Sequence, residues 1–187
     1  MASKVGGLLL VVCCLMVSGV VHASPPGLPT AALLATLPDS VRLKMLAALA
    51  RGDIAGAISL WQLHTNRDTV PAALQAMQSA YNVANRAMGP CKQVARDISN
   101  GFRAFGGSPR YVRFNPPGKV PYLGWEMRAG DPKSTIQISD MGRHYAVMMK
   151  DKVYDAFTGP EGMVLGEYLK RLIAHDGVPR WEMVGSL

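Results

Sequence analysis

The chain has 187 residues, a formal net charge of +7 and a hydrophobic fraction of 49%. This length allows one domain with a hydrophobic core and is too short for two ordinary domains. The excess of basic residues does not indicate nucleic-acid binding, because these residues are scattered and form no compact basic run or aromatic-interleaved motif. We interpret them as a solvated surface that favours solubility and attraction to acidic surfaces.

The N-terminal region has the pattern of a secretory signal peptide. Lys4 precedes an uncharged run from Val5 to Val21, and Ala23 is a small residue suited to cleavage. We therefore expect residues 1–23 to be removed and the protein to be secreted or periplasmic. The apolar run is also at the short limit for a membrane span, so the alternative is an uncleaved anchor, with membrane contact only in that case.

Residues 24–88 are predicted to form a Pro-rich lead-in and a helical segment. Ser24 to Pro29 should be extended, and apolar residues at helical spacing follow between Leu33 and Met88. Asp39-Ser40 can cap a first helix, and Pro71 suits the first turn of a longer one. The role of this segment stays open between an integral part of the fold, a pro-segment and a docking surface.

Residues 89–187 are predicted to form the catalytic region. Gly89-Pro90 breaks the preceding helix, and an amphipathic helix runs from Cys91 to Arg103. Strand-like runs follow at Tyr111–Phe114, Tyr122–Met127, Thr135–Ile138, Tyr145–Met149 and Lys152–Asp155. A last amphipathic stretch around residues 164–172 should close the chain as a helix. The order predicts an α+β fold with N-terminal helices, the helix of Cys91 packed on an antiparallel sheet, and a C-terminal helix.

Cys91 is the first candidate for a chemically active residue. It is the only cysteine left once Cys13 and Cys14 leave with the signal, so it has no partner for an internal disulfide. At the first turn of a helix, unpaired backbone N–H groups and the positive end of the helix dipole favour a thiolate. The alternative is a small hydrophobic residue on the apolar face of its helix.

His144 and Asp155 are predicted to complete a Cys-His-Asp site. They belong to neighbouring strands joined by a two-residue turn. With Met149 opposite Lys152, this even-numbered loop places His144 and Asp155 on one face as diagonal neighbours. The carboxylate could then orient the imidazole for acid–base work beside a nucleophilic thiolate. The alternatives are a lone histidine with satisfied nitrogens and an aspartate that caps the turn at Thr158-Gly159-Pro160.

An amide hydrolase also needs donors for the oxyanion. The backbone N–H of Cys91 is the first candidate and the side chain of Asn85 is the second, with Asn82 and Gln93 as rivals. The histidines have no second ligand at metal-binding spacing, and no Gly-rich phosphate loop occurs, so the sequence predicts neither a metal nor a cofactor.

Several motifs around these residues are similar to those of a known family. They are Gly89-Pro90-Cys91 at a helix start, Ile138 to His144, Asp151 to Asp155, Gly162, and Glu167-Tyr168-Leu169. Together they resemble the papain-fold toxin domains of bacterial polymorphic toxin systems, over roughly residues 88–174. The resemblance implies a papain-like fold, a Cys91-His144-Asp155 triad, and activity as a protease or glutamine deamidase. It also implies a protein substrate and a cognate immunity protein as inhibitor.

Three functions are compatible with these patterns. The first is an exported papain-like thiol hydrolase that acts on a protein amide as a toxin or effector. The second is an acyl-transfer enzyme with the same triad, with a transglutaminase-like or a cell-wall peptidase activity. The third is a non-enzymatic exported binding module in which Cys91 is a core residue. The Pro- and Gly-rich loops Asn115 to Val120 and Ala129 to Ser134 should wall the groove into a narrow pocket, which favours glutamine deamidation over proteolysis.

Overall fold

A computed structural model describes residue 34 and residues 36–139 and 141–187. The expected signal in residues 1–23 and the lead-in of Ser24 to Pro29 lie outside the described residues. The described part of the chain has an α+β fold with five α-helices and two antiparallel sheets, as the sequence predicted at the level of fold class. None of its helices is both long enough and apolar enough to cross a membrane.

Four helices precede the first strand in the described residues. They are α1 (Asp39–Ala50), α2 (Ile54–Thr65), α3 (Ala72–Ala80) and α4 (Cys91–Ala104), with a 3-10 turn at Val83–Asn85 before α4. Asp53 caps α2 by accepting a hydrogen bond of 2.7 Å from the N–H of Gly56. Pro71 directly precedes α3, where its carbonyl accepts from the N–H groups of the first turn. The predicted helical nature of this segment is thus confirmed within the described residues.

The strands form a five-stranded sheet in the order β6-β5-β4-β1-β8 and a three-stranded sheet in the order β3-β2-β7. They are β1 (Arg110–Asn115), β2 (Leu123–Glu126), β3 (Thr135–Ser139), β4 (His144–Met149), β5 (Lys152–Tyr154), β6 (Met163–Val164), β7 (Leu172–Ala174) and β8 (Arg180–Val184). A 3-10 turn at Pro132–Ser134 precedes β3, and helix α5 (Leu165–Arg171) connects β6 to β7.

The five-stranded sheet lies between two hydrophobic clusters. Tyr145 and Val147 of β4 join the cluster that contains helices α1 to α4. Ala146 and Met148 join the opposite cluster, with the three-stranded sheet and α5. Because successive side chains in a strand point to opposite faces, β4 is covered on both sides, and all six of its residues are buried.

The helical segment before Cys91 shares its core with the helix that Cys91 begins. Buried residues of α1 to α3 form one cluster with Val94, Ile98 and Phe102 of α4. Helices α3 and α4 approach most tightly at Gly101, where an added Cβ would lie 2.9 Å from the Cβ of Met77. Of the three roles that the sequence left open, this packing supports an integral part of the fold.

The prediction that the chain closes with a helix is wrong. Helix α5 ends at Arg171, and the next residues pair with β2 as strand β7. The chain then returns as β8, which pairs with β1 at an edge of the larger sheet. The apolar pattern predicted one continuous helix because Tyr168 of the helix and Leu172 of the strand face the same hydrophobic cluster. His175 therefore follows a strand, with its Nδ1 at 2.7 Å from Oδ1 of Asp176.

Candidate active site

Cys91 is the first residue of helix α4 and is half-buried. Gly89 has a φ of 105°, a conformation that residues with a side chain rarely adopt, and Pro90 follows with a φ of −76°. These two residues turn the chain into the helix at the cysteine. No side chain of the described residues caps this N-terminus, and they therefore leave its first backbone N–H groups available to an anion.

The β4–β5 hairpin brings His144 and Asp155 together. Met149 pairs with Lys152, which is the predicted register. Lys150, the first turn residue, has a φ of 57°, in the positive region that primed two-residue turns require. Asp155 directly follows β5, and its Oδ2 lies 2.9 Å from Nε2 of His144. Both residues are 1% exposed, so the predicted pairing is present as a buried contact.

Four hydrogen bonds hold the carboxylate of Asp155. Its Oδ1 accepts from the N–H groups of Phe157 and Thr158, both at 2.9 Å. Its Oδ2 accepts from His144 and, at 2.7 Å, from the hydroxyl of Tyr168. Asp155 thus caps the turn with one oxygen and binds the histidine with the other, so the capping role expected as an alternative coexists with the pairing. Burial alone would raise the pKa of Asp155, but the bonds and charge of His144, with the bonds from Tyr168 and Thr158, lower it below its ordinary value.

The two ring nitrogens of His144 have different surroundings. An ionised carboxylate can only accept, so Nε2 carries the hydrogen that it donates to Asp155. Nδ1 is buried and makes no hydrogen bond within the described residues, which leaves it as the nitrogen available to Cys91. Burial lowers the pKa of His144, but the hydrogen bond to Asp155 and the charges of Asp155 and the nearby Cys91 outweigh it and raise the pKa to about 9. This is not the satisfied core histidine of the alternative interpretation.

The thiol of Cys91 is shifted in the complementary direction. Burial raises its pKa, but the nearby, positively charged imidazole of His144, together with the N–H groups of Tyr145 and Lys92, lowers it below the ordinary value. A raised imidazole pKa and a lowered thiol pKa both favour the thiolate–imidazolium pair over the neutral pair. The arrangement therefore favours the thiolate, which is the nucleophilic form of cysteine, over the thiol.

Tyr168 contacts the carboxylate of Asp155, and the sequence did not predict this contact. Its fully buried ring stacks on Phe114 with centroids 4.9 Å apart, and lies 4.8 Å from the ring of Trp125. In the sequence it is one apolar position of an amphipathic helix. Its bond to Asp155 depends on how α5 packs against the sheet, and no local pattern reports that packing. Trp125 is itself 1% exposed and belongs to the core.

The side chain of Asn85 is engaged at the end of helix α3. Its Nδ2 donates to the carbonyls of Ser79 at 2.9 Å and Ala80 at 3.2 Å. Because both amide hydrogens are used, this arrangement leaves none for an oxyanion. These bonds give Asn85 a helix-capping role and do not support the oxyanion role expected for it.

The two rival side chains are also engaged. Asn82 accepts from the N–H of Ala84 at 2.9 Å and starts the 3-10 turn, while Gln93 donates to Asp97 at 2.9 Å along the exposed side of α4. Asn82 uses only its amide oxygen and Gln93 one of its two amide hydrogens, so these bonds leave both rivals open beside the backbone N–H of Cys91. The backbone N–H lies at a helix start that no described side chain caps, which suits the task.

A pocket of 120 Å³ adjoins the thiol. Its walls come from Gly89 and Lys92 at the start of α4 and from residues of the segment 138–145. The two loops expected to form these walls contribute no described residue to them. Residues of the loop Ala129 to Ser134 line a separate pocket beside α5. The expectation about these loops was therefore wrong, because they lie next to other elements once the strands pair.

The interpretation of this site rests on the geometry of the chain and not on similarity to known proteins. Comparison of the chain with protein-family models, with curated proteins and with solved structures finds no match. A larger pocket of 490 Å³ lies between α1 and α2 and includes neither Cys91 nor the histidine–aspartate pair. In the described part of the chain, no three His, Cys, Asp or Glu side chains are grouped closely enough to hold a metal ion.

Proposed function

We propose that this protein is a papain-like cysteine hydrolase that attacks an amide of a protein substrate. The observation that carries the proposal is the buried His144–Asp155 pair, in which Nδ1 of His144 makes no hydrogen bond within the described residues and is left for Cys91. A purely structural buried histidine is expected to have both nitrogens satisfied. A lowered thiol pKa beside a base that a third group orients is what nucleophilic catalysis requires.

The reaction follows from the charges of the triad. The thiolate of Cys91 attacks the amide carbon, and the N–H groups at the start of α4 stabilise the negative charge that develops on the oxygen. The imidazolium of His144 donates its proton to the leaving nitrogen, so the C–N bond breaks and ammonia or an amine departs. Water then attacks the thioester while His144 accepts its proton, which releases the acid and restores the ion pair. Asp155 stays ionised and keeps the ring oriented.

The size of the pocket favours a side-chain amide as the substrate. Its volume of 120 Å³ is well below the roughly 300–1,000 Å³ of ordinary ligand pockets, so it suits a small group such as a side-chain amide. A protease would need a groove for extended backbone on both sides of the sulfur. We therefore favour glutamine deamidation over general proteolysis. We also propose that the protein acts as an exported toxin or effector with a cognate inhibitor. This part of the proposal rests on the signal pattern in residues 1–23 and on the family resemblance.

Mass spectrometry of lysate proteins tests the reaction. Bacterial and eukaryotic lysates would be incubated with the wild type and, as the matched control, with Cys91→Ala. We expect amide-to-acid conversion at glutamine residues with the wild type alone. New peptide termini would indicate a protease, and joined chains or cleaved cell-wall peptides would indicate the acyl-transfer or cell-wall alternative. Identical results with the two proteins would leave the binding module as the function.

A further inference from the structure

Two cationic side chains line the pocket beside Cys91. Lys92 follows the cysteine on α4, and its Nζ lies 5.0 Å from the ring centroid of Tyr145. Arg143 directly precedes His144 at the start of β4. Both are exposed, and within the described residues neither forms an ion pair. The described lining contains no carboxylate, while Asp140 lies outside the described residues.

The two cations act in addition to the groups that activate the thiol. His144 and the backbone N–H groups of Tyr145 and Lys92 lower the pKa of Cys91. The contact with the buried ring of Tyr145 holds the ammonium at the pocket wall. Cations that are held at a pocket wall without an internal partner can attract an anion from solution.

We infer that the pocket selects an amide that has a carboxylate close to it, so that the substrate class is an acidic protein segment. This inference rests on the proposed function and names the substrate of the same site. The guanidinium of Arg143 can bind a carboxylate through two parallel hydrogen bonds, and Lys92 adds a point charge. A glutamine next to an acidic residue is attracted to the sulfur of Cys91, whereas a glutamine next to a lysine is repelled.

The charge preference can be measured with two alkylating reagents of similar size. Iodoacetate carries a carboxylate and iodoacetamide a neutral amide, and both transfer their methylene carbon to the thiolate with loss of iodide. The ratio of their rates with Cys91 therefore reports the potential at the sulfur, while the reactivity of the thiol largely cancels. At low ionic strength, we expect this ratio to be about fivefold lower in the double variant Lys92→Gln/Arg143→Gln than in the wild type. Added salt should lower the wild-type ratio as well.

Arg96→Gln is the matched control. Arg96 is an exposed cation on the same helix that does not line the pocket, so its removal should leave the ratio unchanged. An unchanged ratio in the double variant, or an equal fall in Arg96→Gln, would overturn the inference. A different result would contradict the proposed function. If the thiol is not activated, Cys91 should react with iodoacetamide at neutral pH no faster in the folded than in the denatured chain. This outcome does not depend on the ratio of the two alkylation rates.

Discussion

At the scale of single residues, the reactivity of Cys91 depends on a proton that passes between a thiol and an imidazole. The thiol pKa is lowered, and the pKa of His144 is raised to about 9. The thiolate–imidazolium pair is therefore stable from the lowered thiol pKa up to about pH 9. Below this window the sulfur is protonated and slow, and above it the imidazole no longer carries the proton that the leaving group needs.

Replacement of Asp155 should narrow this window. Asp155→Asn removes the charge that raises the pKa of His144, so the imidazole holds its proton less firmly and the thiol pKa rises in turn. The midpoint of iodoacetamide labelling against pH should move upward, and turnover should fall by orders of magnitude. A variant that folds, labels and turns over like the wild type would remove Asp155 from the site.

Tyr168→Phe should shift the labelling midpoint in the opposite direction, because it removes a hydrogen bond from the same carboxylate. The hydroxyl bond lowers the pKa of Asp155, so without it the carboxylate attracts the imidazolium proton more strongly and the labelling midpoint should move downward. Turnover should fall about tenfold, because loss of a hydrogen bond to a charged group costs roughly 1.5 kcal/mol and the ring is less well positioned.

Tyr154→Phe is the control for the loss of a tyrosine hydroxyl. Its hydroxyl donates to the carbonyl of Ala50 at 3.0 Å, on the helical side of the sheet. This variant should lose some stability and keep the wild-type labelling profile. If Tyr168→Phe behaves in the same way, then Tyr168 supports the fold and does not position the acid.

The sequence could predict the histidine–aspartate pair because the rules that place it are local. Loop parity and the two-residue period of strands are sufficient to put His144 and Asp155 on one face. The partners of Tyr168 and Asn85 could not be predicted in this way. Tyr168 contacts Asp155 because α5 packs against the sheet. The amide of Asn85 donates to the end of helix α3, and the sequence does not indicate which carbonyl accepts.

At the scale of elements, the predicted helices and the first five strands are present, whereas β6, β7 and β8 were missed. Strand β7 begins where α5 ends, so one continuous apolar pattern covers both. Strand β8 is mostly exposed, and its partner β1 lies far upstream in the chain. Its pairing is therefore a long-range contact that local periodicity does not report.

The approach of α3 and α4 gives a prediction at this scale. Gly101→Ala places a methyl group against Met77, and we expect the free energy of unfolding in urea to fall by about 1–3 kcal/mol. Gly166→Ala is the control, since Gly166 is helical in α5 with nothing within 4 Å of an added Cβ, and it should be neutral or stabilise by up to about 1 kcal/mol. Equal stability of the two variants would show that the helices are not in close contact.

At the scale of the whole molecule, the site joins the two sides of the larger sheet. Cys91 packs against the cluster of helices α1 to α4, whereas the ring of His144 lies near Phe114 and Phe157 of the opposite cluster. The imidazole stands at the start of its strand, where it can contact both sides. The proposed triad is therefore complete only when both layers are assembled on the sheet.

This dependence predicts that the helical segment cannot be removed. A chain of residues 89–187 lacks α1 to α3 and exposes the apolar faces of α4 and the sheet, including Ile98, Phe102 and Val147. Each large buried side chain contributes about 1.5–3 kcal/mol, so the loss of several such contacts exceeds an ordinary total stability of about 5–15 kcal/mol. We expect this chain to show no cooperative unfolding transition and no rapid labelling of Cys91 at neutral pH. Residues 34–187, which keep every described helix and strand, should show both. A shortened chain 89–187 that unfolds cooperatively and labels rapidly would instead show that the helical segment is dispensable, as a pro-segment would be.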